Sequence, residues 1–216
     1  MKNILVGIIG MLITIIFIVG FTSLFIINPN TFEEINNVSI AAYNLVGMNG
    51  RPWAIIIYLT TGLLSIIFCL GLSGLKKSTI VNRLGKALVI TTGLLWASFG
   101  FIPYQFENDF GTHLFLIRIL LMILLGSIGL IILGSEYIDH PRGGSRLTRL
   151  YTLSTGLLML AISALSVFVY NDKTWIRTNI SFTVYFIWFG LVGLQYLKNA
   201  SKSEQQKESS SGGSLL

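Results

Sequence analysis

Six long apolar stretches divide this chain, and each is long enough to cross a lipid bilayer as a helix. A helix needs about 20 apolar residues to span the hydrocarbon core, and backbone groups that water cannot reach must pair within the helix. The sequence therefore predicts an all-α membrane protein, a six-transmembrane-helix bundle over residues 1–200. Its predicted spans are residues 4–27, 53–75, 87–104, 114–134, 147–170 and 180–197.

The composition excludes an ordinary soluble domain. Hydrophobic residues make up 53% of the 216 residues and charged residues only 11%, with a mean hydropathy of +0.74. Soluble domains carry roughly 25% charged residues. The first apolar stretch is longer than the apolar core of a signal peptide, so we expect it to be retained as a span. Residues 201–216 are rich in Ser, Lys and Gln and are predicted to form a flexible polar tail.

The Lys and Arg residues predict the orientation of the chain. With the N-terminus inside, eleven of them lie in inner segments, three lie in outer segments, and Arg118 lies within a span. Inner loops of membrane proteins carry an excess of Lys and Arg, so we expect a multi-pass protein of the cell membrane with both termini in the cytoplasm (N-in/C-in). The same distribution assigns the net charge of +6 to topology and lipid headgroups, and we expect no nucleic-acid partner.

Three basic residues, Arg142, Arg146 and Arg149, stand at the predicted inner end of the fifth span. A topology signal is enough to explain them. A second interpretation is a site for anionic lipid headgroups on the inner face.

Small residues recur within the spans and predict close helix packing. The clearest pairs are Gly93/Ala97, Gly126/Gly129 and Gly190/Gly193. A phrase at Thr92-Gly93 recurs at Thr155-Gly156, and a near-equal offset relates the two glycine pairs. Spans three and four are therefore a hypothetical duplicate of spans five and six.

Arg118 is the charge within a span. It follows His113 by five residues, which places its Cα about 7–8 Å deeper along a helix. A charge at that depth faces the bundle or a cavity, and a guanidinium there binds anions or headgroups with two parallel hydrogen bonds. The alternative is an arginine that reaches back to the outer surface or pairs with Glu33, Glu34, Glu107 or Asp109.

Asp109 and His113 are four residues apart and share a helix face if the fourth helix begins early. With Glu107 nearby, they have the chemistry of a metal site or an acid–base pair. The alternative is an N-terminal helical turn in which Asp109 interacts with the helix dipole. The spacing is not that of an established metal motif, so we expect no metal and no cofactor.

Familiar enzyme motifs are missing from the sequence, which contains no HExxH, Walker A loop or dinucleotide-binding GxGxxG. The segment Gly71-Leu72-Ser73-Gly74 is similar to a rhomboid-type serine motif, but no histidine lies on a facing span. A serine without a base is not a nucleophile. We therefore favour a non-enzymatic protein.

Two short phrases resemble a known family. They are Asn37-Val38-Ser39-Ile40 after the first span, and Gly100-Phe101-Ile102-Pro103 followed by His113. Together they resemble the domain of unknown function 998 family of prokaryotic membrane proteins and, more distantly, the Frag1/DRAM group. The resemblance covers about residues 1–197 and implies six spans and no assigned activity. It singles out Ser39, Pro103 and His113.

The sequence as a whole predicts a binding protein with an outward-facing polar pocket. Its ligand is a lipid headgroup, a small molecule or a membrane partner. Two alternatives stay open: a transporter of small solutes or lipids, and an outer-leaflet enzyme that uses His113 with Asp109. The residues predicted to form the pocket are Glu33, Glu34, Ser39, Asp109, His113 and Arg118.

Overall fold

The structure of the protein is a computed structural model, which describes residues 2–27, 50–72, 80–102, 109–136, 146–168 and 174–212. Apart from Gly50, Leu72 and Ile102, which flank helices, all of these residues are helical. The helices are α1 (Lys2–Ile27), α2 (Arg51–Gly71), α3 (Ile80–Phe101), α4 (Asp109–Glu136), α5 (Arg146–Phe168) and α6 (Thr174–Gly212). Each of the six contains a segment long and apolar enough to cross a membrane, which is the architecture of a multi-pass membrane protein.

The helices form a ring in chain order. Each helix packs against the next, and α6 returns to pack against α1. Neighbouring helices are antiparallel, as the contacts along each pair show. A Cβ at Gly7, near the start of α1, would lie 2.6 Å from Leu197, whereas the Thr14 hydroxyl donates to the Phe186 carbonyl at 2.7 Å. The bundle therefore has two unlike ends. We call the end near Ser98, Arg118 and Arg177 the Arg118 end, and the end near Lys86, Arg149 and Lys198 the basic end.

The third helix begins seven residues before the predicted span, at Ile80 instead of residue 87. The sequence prediction left out Arg83 and Lys86 because charged residues are rare within spans. In the structure Lys86 donates a hydrogen bond to the carbonyl of Leu72, the residue that follows α2. Carbonyls at a helix C-terminus lack a partner within the helix, so a lysine is well placed there.

The sixth helix continues to Gly212, into the segment for which the sequence predicted a flexible polar tail from residue 201. Lys, Glu and Gln, which are common in this segment, have high helix propensity. Extending a helix that already exists requires no new nucleation. The backbone is therefore helical through most of the predicted tail.

The interior of the ring is filled by aromatic side chains centred on Trp96, which is fully buried. The ring of Trp96 lies 4.8 Å from that of Phe186, 5.2 Å from Phe182 and 5.3 Å from Tyr58, measured between centroids. Tilted and edge-on ring pairs at such separations are favourable beyond the area that they bury. The cluster joins α2, α3 and α6 through the centre of the bundle.

The glycine pairs lie at helix interfaces, which confirms the packing interpretation. A Cβ at Gly193 would lie 2.7 Å from the carbonyl oxygen of Gly7, and one at Gly129 would lie 3.1 Å from that of Gly85. Backbones can approach this closely only where no side chain stands between them. Glycine is therefore required where α1 meets α6.

The hypothetical duplication fits the structure only in part. Gly93 packs against α2 and Gly156 packs against α4, so each faces the helix that precedes its own. In contrast, Gly129 faces the preceding helix α3, whereas Gly193 faces α1. The glycine pairs of α4 and α6 thus occupy different interfaces, although their spacing in the sequence is the same.

Candidate functional site

Arg118, one of the residues of the predicted site, is buried inside the bundle. It is on α4, and only 6% of its surface is exposed. Its guanidinium reaches Ser98, in the last turn of α3, so the charge lies close to the Arg118 end. The burial agrees with the prediction that this arginine faces the bundle.

The contacts of the guanidinium are polar but neutral. The Arg118 Nη1 atom donates to the carbonyl oxygen and to the hydroxyl of Ser98, both at 3.4 Å. The same carbonyl accepts a hydrogen bond from the backbone of Ile102 at 3.0 Å. The Cζ atom lies 4.7 Å from the centroid of the Phe99 ring. The negative end of the α3 dipole and the face of an aromatic ring both stabilise a cation.

These contacts leave part of the guanidinium unsatisfied. Its Nε atom is buried and has no hydrogen-bond partner among the described residues. None of the side chains that the structure describes is acidic, so within that part of the chain no carboxylate balances the charge. A buried polar group without a partner costs free energy. The Nε–H group of Arg118 is a donor that an oxygen of an anion would satisfy.

The structure describes only some of the other residues of the predicted site. The fourth helix begins at Asp109, so Asp109 and His113 are one helical turn apart, as predicted if that helix begins early. The His113 side chain is exposed, and the Asp109 side chain lies outside the described part. Glu33, Glu34 and Ser39 lie outside the described residues, as does Arg142. Their contribution to a pocket stays a prediction.

The sequence did not single out a face of hydroxyl groups on α6. Thr178, Ser181 and Tyr185 are three, four and seven residues apart and are all at least 94% buried. Within the described residues, the hydroxyl of Ser181 has no hydrogen-bond partner. The spacing of polar residues along one face of an apolar span was the available signal. Ring contacts from Phe99 to Trp96 and from Trp96 to Phe182 connect this face with Arg118.

The described residues offer few side chains that could ligate a metal. Across these ranges no group of three or more His, Cys, Asp or Glu side chains lies together. Cys69 is a free, buried thiol. The side chains that would accompany His113 in a metal site are outside the described part, so that alternative is untested.

The fold and this buried cation define a class: a six-helix, multi-pass membrane bundle with an interior arginine near one end. Comparison with protein-family models, curated proteins and solved structures gives no match for this chain. The resemblance to the domain of unknown function 998 family therefore stays an expectation.

Proposed function

We propose that the protein binds an anionic group, carried by a lipid headgroup or a small molecule, at the Arg118 end of the bundle. The observation that carries this proposal is Arg118, which is 6% exposed and whose guanidinium has Ser98 and Phe99 as its polar and ring contacts within the described residues. A ligand with a phosphate or carboxylate supplies the negative charge that these neutral contacts lack.

The chemistry of the site favours an anion over a neutral ligand. A guanidinium presents several N–H donors in a fixed plane and binds two oxygens of one phosphate or carboxylate at once. Charge–charge attraction is stronger where water is largely excluded. The location in the last turn of α3 keeps the group within reach of a ligand that arrives from the membrane surface. By the distribution of Lys and Arg, that surface is the outer one.

The predicted pocket gives the ligand further partners. His113 is exposed about one and a half turns towards the same end of α4, and Ser39 is one of the residues singled out by the family resemblance. In this proposal, Arg118 holds the anion, and His113, Ser39 and the loop carboxylates Glu33, Glu34 and Asp109 contact the rest of the molecule. The protein is then a binding component of the cell membrane that catalyses no reaction.

Transport is the less favoured function. Solute transporters of known type place binding groups near the bilayer midplane, on helices that are interrupted there. Here the centre of the bundle is occupied by Trp96, Phe182 and Phe186, and α3 and α6 run without a break. Catalysis by His113 with Asp109 requires further groups that the described residues do not supply.

The experiment is an analysis of the species that copurify with the full chain. Lipids, small anions and metals are identified by mass spectrometry for the wild type, for Arg118→Gln and for Arg118→Lys. We expect one anionic species to be lost from Arg118→Gln and weakened in Arg118→Lys, since lysine keeps the charge but cannot make the paired hydrogen bonds.

A matched control is available at the same end of the bundle. Arg177 donates to the carbonyl oxygen of Leu165 at 3.1 Å, and this hydrogen bond is exposed. The Arg177→Gln variant should keep the bound species. His113→Ala should weaken it if the ligand extends into the predicted pocket. An identical set of bound species in the wild type and Arg118→Gln would contradict the proposal.

A further inference from the structure

A crevice runs along the outside of the bundle between α5 and α6. Near the basic end it has a cavity of about 180 Å³, whose lining includes Thr148, Gln195 and Lys198. It continues into an open groove of about 620 Å³, whose lining includes Leu158 and Ala161. Tyr151 and Leu191 line both parts, so the two form one continuous depression.

The two parts differ in chemistry. The cavity of about 180 Å³ is lined by Lys198, Gln195 and Thr148, whose side chains carry an ammonium, an amide and a hydroxyl. The open groove is lined mainly by apolar residues, among them Leu157, Leu158, Val184 and Ile187. A charged end followed by an apolar channel matches the two halves of a phospholipid.

The crevice also has the length of one leaflet. Its α5 wall runs from Thr148 to Ala161, which is about 20 Å at the helical rise of 1.5 Å per residue. One half of a hydrocarbon core is about 15 Å thick. The depression therefore reaches from the headgroup level at the basic end to near the middle of the membrane.

Packing leaves this face of the bundle open. In the most apolar 18-residue stretch of α5, 28% of the residues are buried, compared with 44–50% in the corresponding stretches of the other five helices. Leu157, Leu158 and Leu191 are 37–50% exposed. Their exposed surface must meet lipid or another protein.

We infer that this crevice binds one anionic phospholipid of the leaflet at the basic end, with its headgroup at Lys198 and an acyl chain between α5 and α6. The positive charge of Lys198 favours an anionic headgroup over a neutral one. Cytoplasmic leaflets are rich in anionic lipids, and the excess of Lys and Arg places the basic end on that side. Tyr151 lies between the polar and apolar parts, as tyrosines do at membrane interfaces. This site is separate from the one at Arg118 and does not depend on it.

The test is native mass spectrometry of the full chain in detergent, titrated with phosphatidylglycerol or with phosphatidylcholine of the same acyl chains. We expect one tightly bound phosphatidylglycerol per chain whose binding Arg118→Gln leaves unchanged. The Lys198→Gln variant should lower the affinity for phosphatidylglycerol about fivefold, the equivalent of ~1 kcal/mol for one basic residue near anionic lipid. Its affinity for phosphatidylcholine should not change. Arg83→Gln, which removes an exposed basic residue near the same end but outside the crevice, should leave both affinities unchanged.

A second pair of variants tests the acyl channel. Ala161→Trp fills the groove and should lower the binding of both lipids at least fivefold. Ala164→Trp adds the same ring at an exposed position of α5 that does not line the groove, and should bind as the wild type does. Thermal unfolding of each variant confirms that it is folded.

Three results would overturn the inference. The first is lipid binding that Ala161→Trp leaves unchanged. The second is an equal loss for Lys198→Gln and Arg83→Gln, which would show a diffuse surface charge. The third is a dimer that Ala161→Trp converts to a monomer without any change in bound lipid, which would show that a second copy of this chain covers the crevice.

Discussion

The indole nitrogen of Trp96 donates a hydrogen bond of 2.8 Å to the hydroxyl of Thr61, and both residues are fully buried between α2 and α3. The same hydroxyl donates to the Ile57 carbonyl one turn earlier, at 2.6 Å. Between α5 and α6, Trp188 donates to Thr152 at 3.0 Å, and Thr152 donates to the carbonyl of Thr148 at 2.8 Å. The two helix pairs are thus joined by the same arrangement of donors and acceptors.

This arrangement predicts a measurable coupling between Thr61 and Trp96. Thr61→Val keeps the side-chain volume but leaves the indole N–H buried without an acceptor, which costs about 1–3 kcal/mol. A double-mutant cycle with Trp96→Phe should give a coupling energy of about 0.6–1.7 kcal/mol, the range found between membrane helices. Chemical or thermal unfolding in detergent measures it. Strictly additive effects of the two substitutions would show that this hydrogen bond does not stabilise the fold.

Close packing between α1 and α6 predicts a sharp contrast among glycines. A Cβ at Gly10 would lie 2.5 Å from the carbonyl oxygen of Phe189, whereas the nearest atom to a Cβ at Gly126 is a methyl carbon of Thr92 at 3.3 Å. Gly10→Ala should therefore destabilise the protein by about 1–3 kcal/mol, as overpacking does.

Gly126→Ala is the matched control for this comparison and should change stability by less than about half as much. Unfolding temperature and the fraction of monodisperse protein measure both variants. Equal tolerance of alanine at Gly10 and Gly126 would contradict the helix packing described between α1 and α6.

The distribution of Lys and Arg predicts which side of the membrane each segment occupies. Cys69, the single cysteine, is buried and is replaced by alanine to give a background without thiols. In that background, Asn44→Cys should react with a membrane-impermeant maleimide in intact cells. Ser214→Cys should react only after permeabilisation. The reverse pattern of labelling would contradict the N-in/C-in topology.

The charge on Arg118 predicts a conflict between binding and stability. A buried arginine for which the described residues supply no carboxylate is costly, so Arg118→Met should stabilise the ligand-free protein. A gain of about 1–2 kcal/mol corresponds to a rise in unfolding temperature of about 2–8 °C for a protein of this size. Removal of one partner of a buried ion pair instead costs about 3–5 kcal/mol. A loss of that size in Arg118→Met would show that Arg118 is part of a structural ion pair.

The sequence was sufficient for the six helices and for the depth of Arg118. The length of an apolar stretch predicts a membrane span without reference to its neighbours. A charge within a span is costly in contact with lipid, so its position inside the bundle can also be predicted. The sequence predicted a span from residue 87, and α3 itself begins earlier, at Ile80. Lys86 lies within this helix and donates to the Leu72 carbonyl, a contact that depends on how two helices meet.

The inward faces of the helices were harder to predict. In a soluble protein the polar face of a helix marks its outside, but a membrane helix is apolar on every face, so its periodicity is weak. The buried hydroxyls of Ser181 and Tyr185 and the contact from Arg118 to Ser98 become apparent only when the helices are packed together. For the same reason, the ring order of the helices could not be derived from their sequences.

The most direct test of the proposed anion site is the thermal stabilisation of the purified protein by an added anion. Inorganic phosphate and short-chain phosphatidylglycerol are the two probes, and they distinguish a free anion from a lipid headgroup. At a probe concentration of about 100 times the dissociation constant, binding adds about 2.7 kcal/mol, or about 5–10 °C in unfolding temperature. With Ala161→Trp present in every protein to fill the crevice between α5 and α6, we expect at least one probe to stabilise the wild type and Arg177→Gln by this amount and to leave Arg118→Gln unchanged. Equal stabilisation of the wild type and Arg118→Gln, or stabilisation of neither, would contradict an anion site at Arg118.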